Sequence, residues 1–579
     1  MDMITEGLLA EFTKEFQIGN LPEDKRFEHF AGFVVLKRHY SETFDPGDIV
    51  TGEGGDLTID AIGVIVNGVL VNDTDVLDEI FESNPDYLDV TFVFVQAERS
   101  SSFDGAKLGS FGYGVSEFFN PSTKEPRNER IIEAVEVMRR IYNKSSKFKR
   151  GNPSCLLYYV TTGKVTGDAS LGNRIDKIRG ELTSLEYFKE VEVTLIGASD
   201  ILKLYNFSKN SISREFIFGS RQDIPEIPGV KEAFVGFIPA QQYLPIICEN
   251  NEIIRSIFYD NVRDWQGYND VNEEISATLK SEKKRRFVLM NNGVTIIARN
   301  MTHTGSKFVI EDFQVVNGCQ TSHVLFDHQS HLDESVLVPL RLIWTQEEDV
   351  IEDIIHATNK QTEVTSEQFF ALTDFARQLE AFFKTFPDGR KLYYERRSRQ
   401  YDGLSVEKTR VVVQTNAVRA FAGMFLGEPH NTVRSYKKLS ERVGQDIFIR
   451  DHKLYPYYTS SYALYILEFL FRNQKIDAKY KIARFQILLA VRLLANSDPT
   501  PLFNANKMEK YCEKICEHLW DQAKAEKIFE EACVAIDTVA GTSLDRDTVH
   551  TTSFTEQLAK VCAVMQPKAV ASSATGSTP

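Results

Sequence analysis

Residues 54–60, Gly-Gly-Asp-Leu-Thr-Ile-Asp, form a glycine-rich turn that leads into an apolar stretch of the chain. A second apolar stretch, Thr91 to Val95, ends in Gln-Ala-Glu-Arg at residues 96–99. Runs of β-branched and aromatic residues bounded in this way are typical of strands. Residues two apart on a strand share a face, so Gln96 and Glu98 are expected to face Asp60 on the neighbouring strand. This part of the sequence therefore predicts a β-sheet that gathers three polar side chains.

Helix and strand patterns alternate around this stretch, from residue 1 to about residue 210. Apolar residues recur at a helical period in several segments, and Asn67-Gly68 is a turn signal between two short strands. This order predicts a mixed sheet flanked by helices. The helices are expected at Phe27–Tyr40, Phe103–Phe119, Ile131–Tyr142 and Ile175–Phe188, and the strands at Leu57–Val71, Val90–Val95, Leu156–Thr161 and Val191–Ile196.

The rest of the chain changes character twice. Residues 211–370 are β-rich, residues 371–566 carry mainly helical patterns, and residues 567–579 are rich in Ala, Ser and Thr, as in a disordered tail. The central strands are predicted at Phe234–Pro239, Phe287–Arg299, Phe308–Val316 and Leu337–Trp344. We therefore predict a mixed α+β (α/β) protein with an N-terminal domain, a central domain and a helical C-terminal region.

The composition excludes several classes of protein. Of 579 residues, 42% are apolar and 26% are charged, which is ordinary for a globular protein and argues against disorder or a coiled coil. No apolar run approaches the roughly 20 residues of a membrane helix, and the start lacks the layout of a signal peptide. Seven scattered cysteines argue against a disulfide framework, so a cytoplasmic protein is expected. A net charge of −15 argues against a general coat for nucleic acid but allows a local basic groove.

The polar side chains of the N-terminal sheet match the needs of a metal-dependent phosphodiesterase. Asp60 and Glu98 could hold Mg²⁺ or Mn²⁺ through carboxylate oxygens, and the metal would activate a water and neutralise charge on a phosphate. Two plainer interpretations stay open. An Asp after a glycine-rich turn is often only a turn residue, and Gln96 and Glu98 could belong to a solvated face.

The same residues resemble the PD-(D/E)xK nuclease superfamily, and especially its Mrr-like branch. That branch has a Gly-Gly-Ile-Asp-like turn before its first acid and often Gln-x-Lys on the next strand. Glu28 lies where the branch often carries an extra acid. The resemblance implies a restriction-endonuclease-like fold and a nuclease whose catalytic residues are Asp60, Gln96, Glu98 and Glu28. This chain departs from the pattern because Glu98 replaces the family's lysine, and Arg99 should point to the other face. A metal-dependent endonuclease, a hydrolase, is favoured, and a degenerate domain that only binds is the alternative.

A second set of motifs lies between Phe258 and Gln361, where apolar segments end in loops rich in Asn, Gln and Thr. Buried amides are costly unless they are paired, so such a cluster could bind a base, a ribose or a phosphate. The alternative is that these amides only brace loops. The predicted ligand-binding residues are Arg263, Asn292, Asn317, Gln320, Thr321, Asn359 and Gln361, with Arg396 and Arg397 at the rim.

These motifs resemble the AIPR family, named for bacterial abortive infection phage resistance proteins, over about residues 230–410. The shared motifs are Asn-x-Arg, Asn-Asn-Gly-x-Thr-Ile, Asn-Gly-x-Gln-Thr and Thr-Asn-x-Gln, followed by Tyr-Tyr-Glu-Arg-Arg at 393–397. The resemblance implies a role in phage defence, with nuclease activity in members whose N-terminal motif is intact. A defence protein that cuts DNA or RNA, with a central domain that senses or regulates, is therefore the favoured expectation. A phage-encoded trigger or a nucleotide is a further candidate partner, self-association is allowed, and no membrane is expected. The alternative is a protein that binds such partners without cleavage.

Overall fold

The structure is a computed structural model, and the chain divides into two compact units. The first unit is Met1–Leu372 with Glu395–Lys408, and the second is Thr373–Tyr394 with Thr409–Pro579. The structure describes residues 2–40, 42–52, 54–83, 87–148, 151–165, 168–209, 212–249, 252–258, 270–359, 374–396, 400–401, 404, 406–434, 436–541 and 544–565. The predicted tail, residues 567–579, lies outside these ranges. The mixed α+β class is confirmed, and the predicted domain limits at 210, 370 and 566 stay predictions.

The first unit contains a five-stranded sheet in the order β2-β1-β3-β4-β5. β1 pairs with β2 and β3 antiparallel, and β3, β4 and β5 run parallel to one another. Asn67 and Gly68, both at positive φ, form the predicted turn between β1 and β2. The strands are β1 (Ala61–Val66), β2 (Val69–Leu70), β3 (Val90–Glu98), β4 (Ser154–Thr161) and β5 (Glu190–Ile196).

Helices cover both faces of this sheet, because the strands are apolar on both sides. One core includes Ile62, Val64, Phe92 and Phe94 and packs against α3, α4, α5 and α6. The other core includes Ala61, Val93, Val95 and Ala97 and packs against α1, α2 and α7. The helices are α1 (Met3–Glu15), α2 (Glu23–His39), α3 (Thr74–Ser83), α4 (Gly105–Phe119), α5 (Glu129–Tyr142), α6 (Ala169–Thr183) and α7 (Ala198–Lys209).

The glycine-rich turn before β1 is held tightly against α4. Leu57 and Thr58 adopt the left-handed conformation, and the hydroxyl of Thr58 donates to the carbonyl of Ser110 at 3.0 Å. Gly114 of α4 lies so close that a Cβ there would be 1.7 Å from the Leu57 carbonyl oxygen. A glycine at this position therefore lets the turn lie on the helix.

A second sheet of six strands follows in the first unit, in the order β6-β12-β11-β13-β8-β7. β11 and β13 are parallel, and the other pairs are antiparallel. Phe287–Met290 is a helical turn, so the strand predicted at Phe287–Arg299 begins only at Val294. The long strands are β6 (Ser213–Ile217), β7 (Ser220–Asp223), β8 (Glu232–Pro239), β11 (Val294–Thr304), β12 (Lys307–Asn317) and β13 (Leu337–Trp344), and two short ones are β9 (Cys248–Glu249) and β10 (Glu252–Ile253).

Two helices of this region pack on opposite faces of the six-stranded sheet. Val324 and Leu325 of α11 join the large core on one face, and Ile351 and Ile355 of α12 pack on the other. The helices are α8 (Ala240–Ile247), α9 (Asp270–Leu279), α10 (Phe287–Met290), α11 (Cys319–Asp327) and α12 (Glu348–Asn359).

The second unit is mainly helical, as expected. Its core is aromatic: the rings of Phe386 and Tyr458 stack with centroids 3.6 Å apart, and the Tyr457 hydroxyl accepts from the Phe448 N–H at 2.8 Å. A π-helical turn, Ala422–Leu426, continues the helix Gln414–Phe421. The other helices are Asp374–Lys384, Asn431–Arg434, Tyr436–Ser440, Tyr455–Arg472, Arg484–Ala495, Lys507–Leu519, Gln522–Ala540, Arg546–Val549 and Thr552–Met565, and two short strands are Tyr393–Glu395 and Val411–Val413.

A search of the described residues for a membrane-crossing helix found none with the required length and apolar character.

Replacing Gly114 by Ala should destabilise the first unit by about 3 kcal/mol, because the new Cβ meets a backbone oxygen that cannot move alone. Gly180→Ala is the matched control: it lies in α6 with open space around it and should be neutral or stabilise by up to about 1 kcal/mol. Urea unfolding of both variants tests this. A Gly114→Ala variant as stable as the wild-type protein would contradict the close approach of turn and helix.

Candidate functional site

Asp60 lies at the entrance of β1, where it is tied to β3. Its N–H donates to the Val95 carbonyl at 2.9 Å, and its Oδ2 accepts from the Ala97 N–H at 2.7 Å. The β1–β3 register begins at the pair Ala61–Val95, and the bond from the Asp60 N–H to the Val95 carbonyl lies one residue off that register. The side chain of Asp60 is only 8% exposed. A carboxyl group is therefore buried just before the first residue of β1.

Glu28 of α2 reaches the same point, because α2 packs closely on β1. A Cβ on Gly32 would be 3.0 Å from the Cβ of Ala61, and Glu28 lies one turn before Gly32. Burial, followed by the charge of Glu28, raises the pKa of Asp60 to about 7. Burial also raises the pKa of Glu28. The fold thus holds two carboxyl groups near each other at a cost to their ionised forms.

Lys25 and Asp56 complete this charge cluster, and the sequence prediction named neither. The ammonium of Lys25 contacts both carboxylate oxygens of Glu28 at 2.9 Å and works against the rise in the pKa of Asp60. Asp56 accepts from the Thr58 N–H at 2.8 Å, and its charge raises the pKa values of Asp60 and Glu28. The helix was predicted to begin at Phe27, so Lys25 lay outside it; the structure begins this helix at Glu23 and so places Lys25 one turn before Glu28.

Gln96 projects from the same face of β3 as Phe92 and Phe94, since all three have the same parity along the strand. Its Oε1 is buried and accepts no hydrogen bond from any described residue. Buried amide oxygens nearly always have a partner, so this oxygen is an unsatisfied acceptor among the described residues.

Glu98, two residues further along that face, is held by other groups. One oxygen is paired with the ammonium of Lys107 on α4, and the other accepts from the Tyr159 hydroxyl at 2.9 Å. Arg99 forms an ion pair of 2.6 Å with Glu23 of α2, which covers the other face of the sheet, as the strand alternation predicts. The structure therefore places Glu28 near Asp60, with Gln96 on the face of β3 that lies opposite α2, while the carboxylate oxygens of Glu98 are engaged by Lys107 and Tyr159.

The donor set around Asp60 suits a magnesium ion that keeps much of its hydration. The described residues contain no group of three or more His, Cys, Asp or Glu side chains that could hold a metal. Mg²⁺ does not need such a cage, because it is commonly bound by one or two carboxylates together with waters and substrate phosphates. Asp60 and Glu28 are the two carboxylates that could hold such an ion.

In the central region, the amides of the motifs bond to one another. Asn291 Nδ2 donates to Thr321 Oγ1 at 2.9 Å, and Asn291 Oδ1 accepts from the Gly293 N–H at 2.8 Å. Asn272 Nδ2 donates to Gln320 Oε1 at 2.7 Å. The sequence prediction had selected Asn292, which is exposed, and not its neighbour Asn291. Several of these polar groups thus brace the loops around α11.

Two glycines bring the Asn-Gly loops of this region together. Gly318 has a φ of +100°, and a Cβ there would be 3.0 Å from the Gly293 carbonyl oxygen, so the half-buried Asn317 lies near the loop of Asn292. Asn359 ends α12, on the face of the sheet opposite α11.

Other predicted ligand residues lie away from these loops or outside the description. The Arg396 N–H donates to Gln400 Oε1 at 3.0 Å. The segment that follows is tied to the N-terminal domain, where Gln17 Nε2 donates to Glu407 at 2.8 Å. Arg263, Gln361 and Arg397 lie outside the described residues.

Comparison with known proteins gives one match. Residues 258–545 match the family model described as AIPR protein. This match supports the AIPR family. The AIPR region includes the amide loops and most of the helical second unit, so it extends further along the chain than the motifs that suggested it. Asp60 and the rest of the five-stranded sheet lie before it. No curated protein and no solved structure matches the chain.

The raised pKa of Asp60 predicts how stability depends on pH. An unfolded carboxyl ionises near its ordinary value of 3.8, whereas the folded one stays protonated up to about 7. The stability linked to this group is therefore complete below pH 3.8, falls as the pH rises to about 7, and is constant above that. Asp60→Asn should raise the free energy of unfolding at pH 8, by no more than about 4 kcal/mol, and change it little at pH 4.

Urea unfolding at both pH values measures this effect. Asp104→Asn is a control of opposite sign, since hydrogen bonds from the N–H groups of Lys107 and Ala106 lower the pKa of Asp104. Its substitution should cost more stability at pH 8 than at low pH. Equal effects of Asp60→Asn on the free energy of unfolding at pH 4 and pH 8 would contradict a buried carboxyl group with a raised pKa.

The bracing role of Asn291 gives a second prediction. Asn291→Ala removes two hydrogen bonds and leaves Thr321, a buried residue, without its donor, at a cost of about 1–3 kcal/mol. Asn292→Ala, the adjacent exposed position, should change stability by less than about 0.5 kcal/mol. Thermal unfolding of the pair measures the difference, and equal losses would show that Asn291 is not the bracing amide.

Proposed function

We propose that this protein is an anti-phage defence protein whose N-terminal domain hydrolyses the phosphodiester bonds of DNA or RNA with Mg²⁺ or Mn²⁺. The AIPR match supports the defence role, since the family is associated with abortive infection. The nuclease role rests on the first unit. Its main support is the buried Asp60, whose pKa is raised by burial and then by the charge of Glu28.

The side chains have distinct roles in this proposal. Asp60 and Glu28 would hold the metal, and Gln96 would be a further oxygen ligand only if its side chain reached them. The ion, when bound, neutralises charge on the phosphate and lowers the pKa of a water. Lys25 favours the ionised form of Glu28, against the effect of burial, and orients it through its two 2.9 Å contacts. The Ala97 N–H holds one oxygen of Asp60, its Oδ2, and leaves Oδ1 as the oxygen that would meet the metal.

The central region is assigned the sensing of a trigger. Asn292 is exposed and Asn317 is half-buried near it, beside loops that Asn291 and Gln320 brace. A rigid rim with two accessible amides suits recognition of a polar ligand, such as a nucleotide or a polar surface of a phage protein.

A second candidate function is binding of nucleic acid without cleavage. It is favoured by the state of Glu98, whose carboxylate is neutralised by Lys107 and bonded to Tyr159, so it is not available to a metal in this arrangement. A site with two carboxylates and one amide could also bind a cation for structure alone.

Cleavage assays with supercoiled plasmid DNA and with single-stranded RNA, each with Mg²⁺ or Mn²⁺, distinguish these functions. The wild-type protein should cleave at least one substrate. Asp60→Asn and Glu28→Gln should each lower the rate by about a hundredfold or more, since each removes several kcal/mol of charge stabilisation. Asp176→Asn, on the exposed side of α6, is a matched control that should cleave normally.

A readout independent of activity accompanies the assay. Mg²⁺ should raise the melting temperature of the wild-type protein and not that of Asp60→Asn, because a ligand stabilises only the state that binds it. Binding of nucleic acid with no cleavage under any of these conditions would favour the second function. Unchanged cleavage by Asp60→Asn would move the chemistry to another part of the chain.

A further inference from the structure

Two cationic side chains lie beside the candidate site, on the α4 side of the five-stranded sheet. Lys107 comes from the first turn of α4, and Arg174 comes from the first half of α6. Both are exposed, and neither belongs to the AIPR region. The family match and the motifs assign them no role.

Lys107 is fixed in place by the residues of the site. Its ammonium group forms an ion pair with one carboxylate oxygen of Glu98, and the Tyr159 hydroxyl donates a hydrogen bond to the other oxygen. The backbone N–H of Lys107 donates to Asp104, the N-cap of α4. Lys107 is still 56% exposed, so its ammonium is oriented at the site without being enclosed. Glu98 therefore acts as a positioning residue for a cation.

Arg174 is placed by glycines of α4. Its Nε lies 3.6 Å from where a Cβ of Gly105 would be, and its Nη1 lies 2.6 Å from where a Cβ of Gly109 would be. The absence of side chains at these two positions lets the guanidinium lie against the helix. Within the described part of the chain Arg174 forms no ion pair, and its charge acts at a distance on Asp104.

The acidic groups nearby are already committed to other contacts. Asp104 accepts from the N–H groups of Ala106 and Lys107 as a helix cap, and Glu98 is bound by Lys107 and Tyr159. An exposed guanidinium with all its donors available is suited to a phosphate, which it can bind with two parallel hydrogen bonds. An ammonium group nearby adds a second contact to a polyanion.

We propose that Lys107 and Arg174 form a phosphate-binding surface that holds the backbone of a nucleic acid against the candidate site. This inference rests on the proposed nuclease or nucleic-acid-binding function. The surface recognises phosphates and not bases, so it serves DNA and RNA alike. Glu98, in the position of the family's lysine, contributes by presenting Lys107 from the neighbouring helix.

Binding measured in EDTA tests this surface apart from catalysis. The probes are fluorescent 30-nucleotide DNA and RNA of one sequence, single-stranded and duplex, titrated by anisotropy at several salt concentrations. Lys107→Gln and Arg174→Gln should each weaken binding about three- to tenfold and lower the slope of log affinity against log salt by about one, because each removes a phosphate contact. Lys107→Arg should retain most of the affinity.

A third variant tests whether the position of the Arg174 guanidinium matters, as distinct from its charge. Gly109→Ala keeps Arg174 but pushes its guanidinium aside, so it should also weaken binding while the helix stays intact. Gly172→Ala and Arg179→Ala, both on exposed parts of α6, are controls that should bind normally. Circular dichroism confirms that each variant is folded.

The outcomes separate the two proposals. If the wild-type protein binds a probe and Lys107→Gln and Arg174→Gln bind it equally well with the same salt slope, the surface is wrong and the proposed function stands. If the wild-type protein binds none of the probes, the proposed function and this surface both fail.

Discussion

The carboxyl group of Asp60 is built into the β1–β3 ladder, and the N-terminal site depends on that single constraint. Its Oδ2 accepts a hydrogen bond from the Ala97 N–H, which holds the side chain at the end of the sheet. The side chain is buried there. Burial would make the ionised form costly unless a cation or a proton is present. The charge of Glu28 lies nearby and further opposes ionisation of Asp60. A bound divalent ion would offset the repulsion between the two carboxylates.

The local parts of this arrangement could be predicted from the sequence. The strands around Asp60 and Gln96, the turn at Asn67-Gly68 and the helix that carries Glu28 follow from periodicity and turn chemistry, which act over a few residues. Lys107 and Tyr159 were missed as partners of Glu98, because they come from a different helix and a different strand. Their meeting depends on the parallel pairing of β3 with β4, which no local pattern encodes.

The central region shows a different limit of sequence reasoning. Some motif residues meet around α11, as the bonds of Asn272 to Gln320 and of Asn291 to Thr321 show. Whether an amide braces a loop or faces solvent depends on one position, since Asn291 is bonded and Asn292 next to it is exposed. The strand pattern at Phe287 continued into a helical turn, because apolar runs of this length suit either conformation. Similarly, α12 packs on the face opposite α11, and this choice of face is decided by the apolar residues of β11 and β12 together.

Two lysines near the site are each paired with a carboxylate, and under the proposed function this pairing would couple metal binding to phosphate binding. Glu28 holds Lys25, and Glu98 holds Lys107. A divalent ion bound to Glu28 and Asp60 would weaken the ion pair between Glu28 and Lys25, so that Lys25 could contact a phosphate. A phosphate bound to Lys107 would weaken the ion pair between Lys107 and Glu98, so that Glu98 could contact a cation. Favourable coupling of this kind is reciprocal, so nucleic acid would strengthen metal binding by the same factor as metal strengthens nucleic-acid binding.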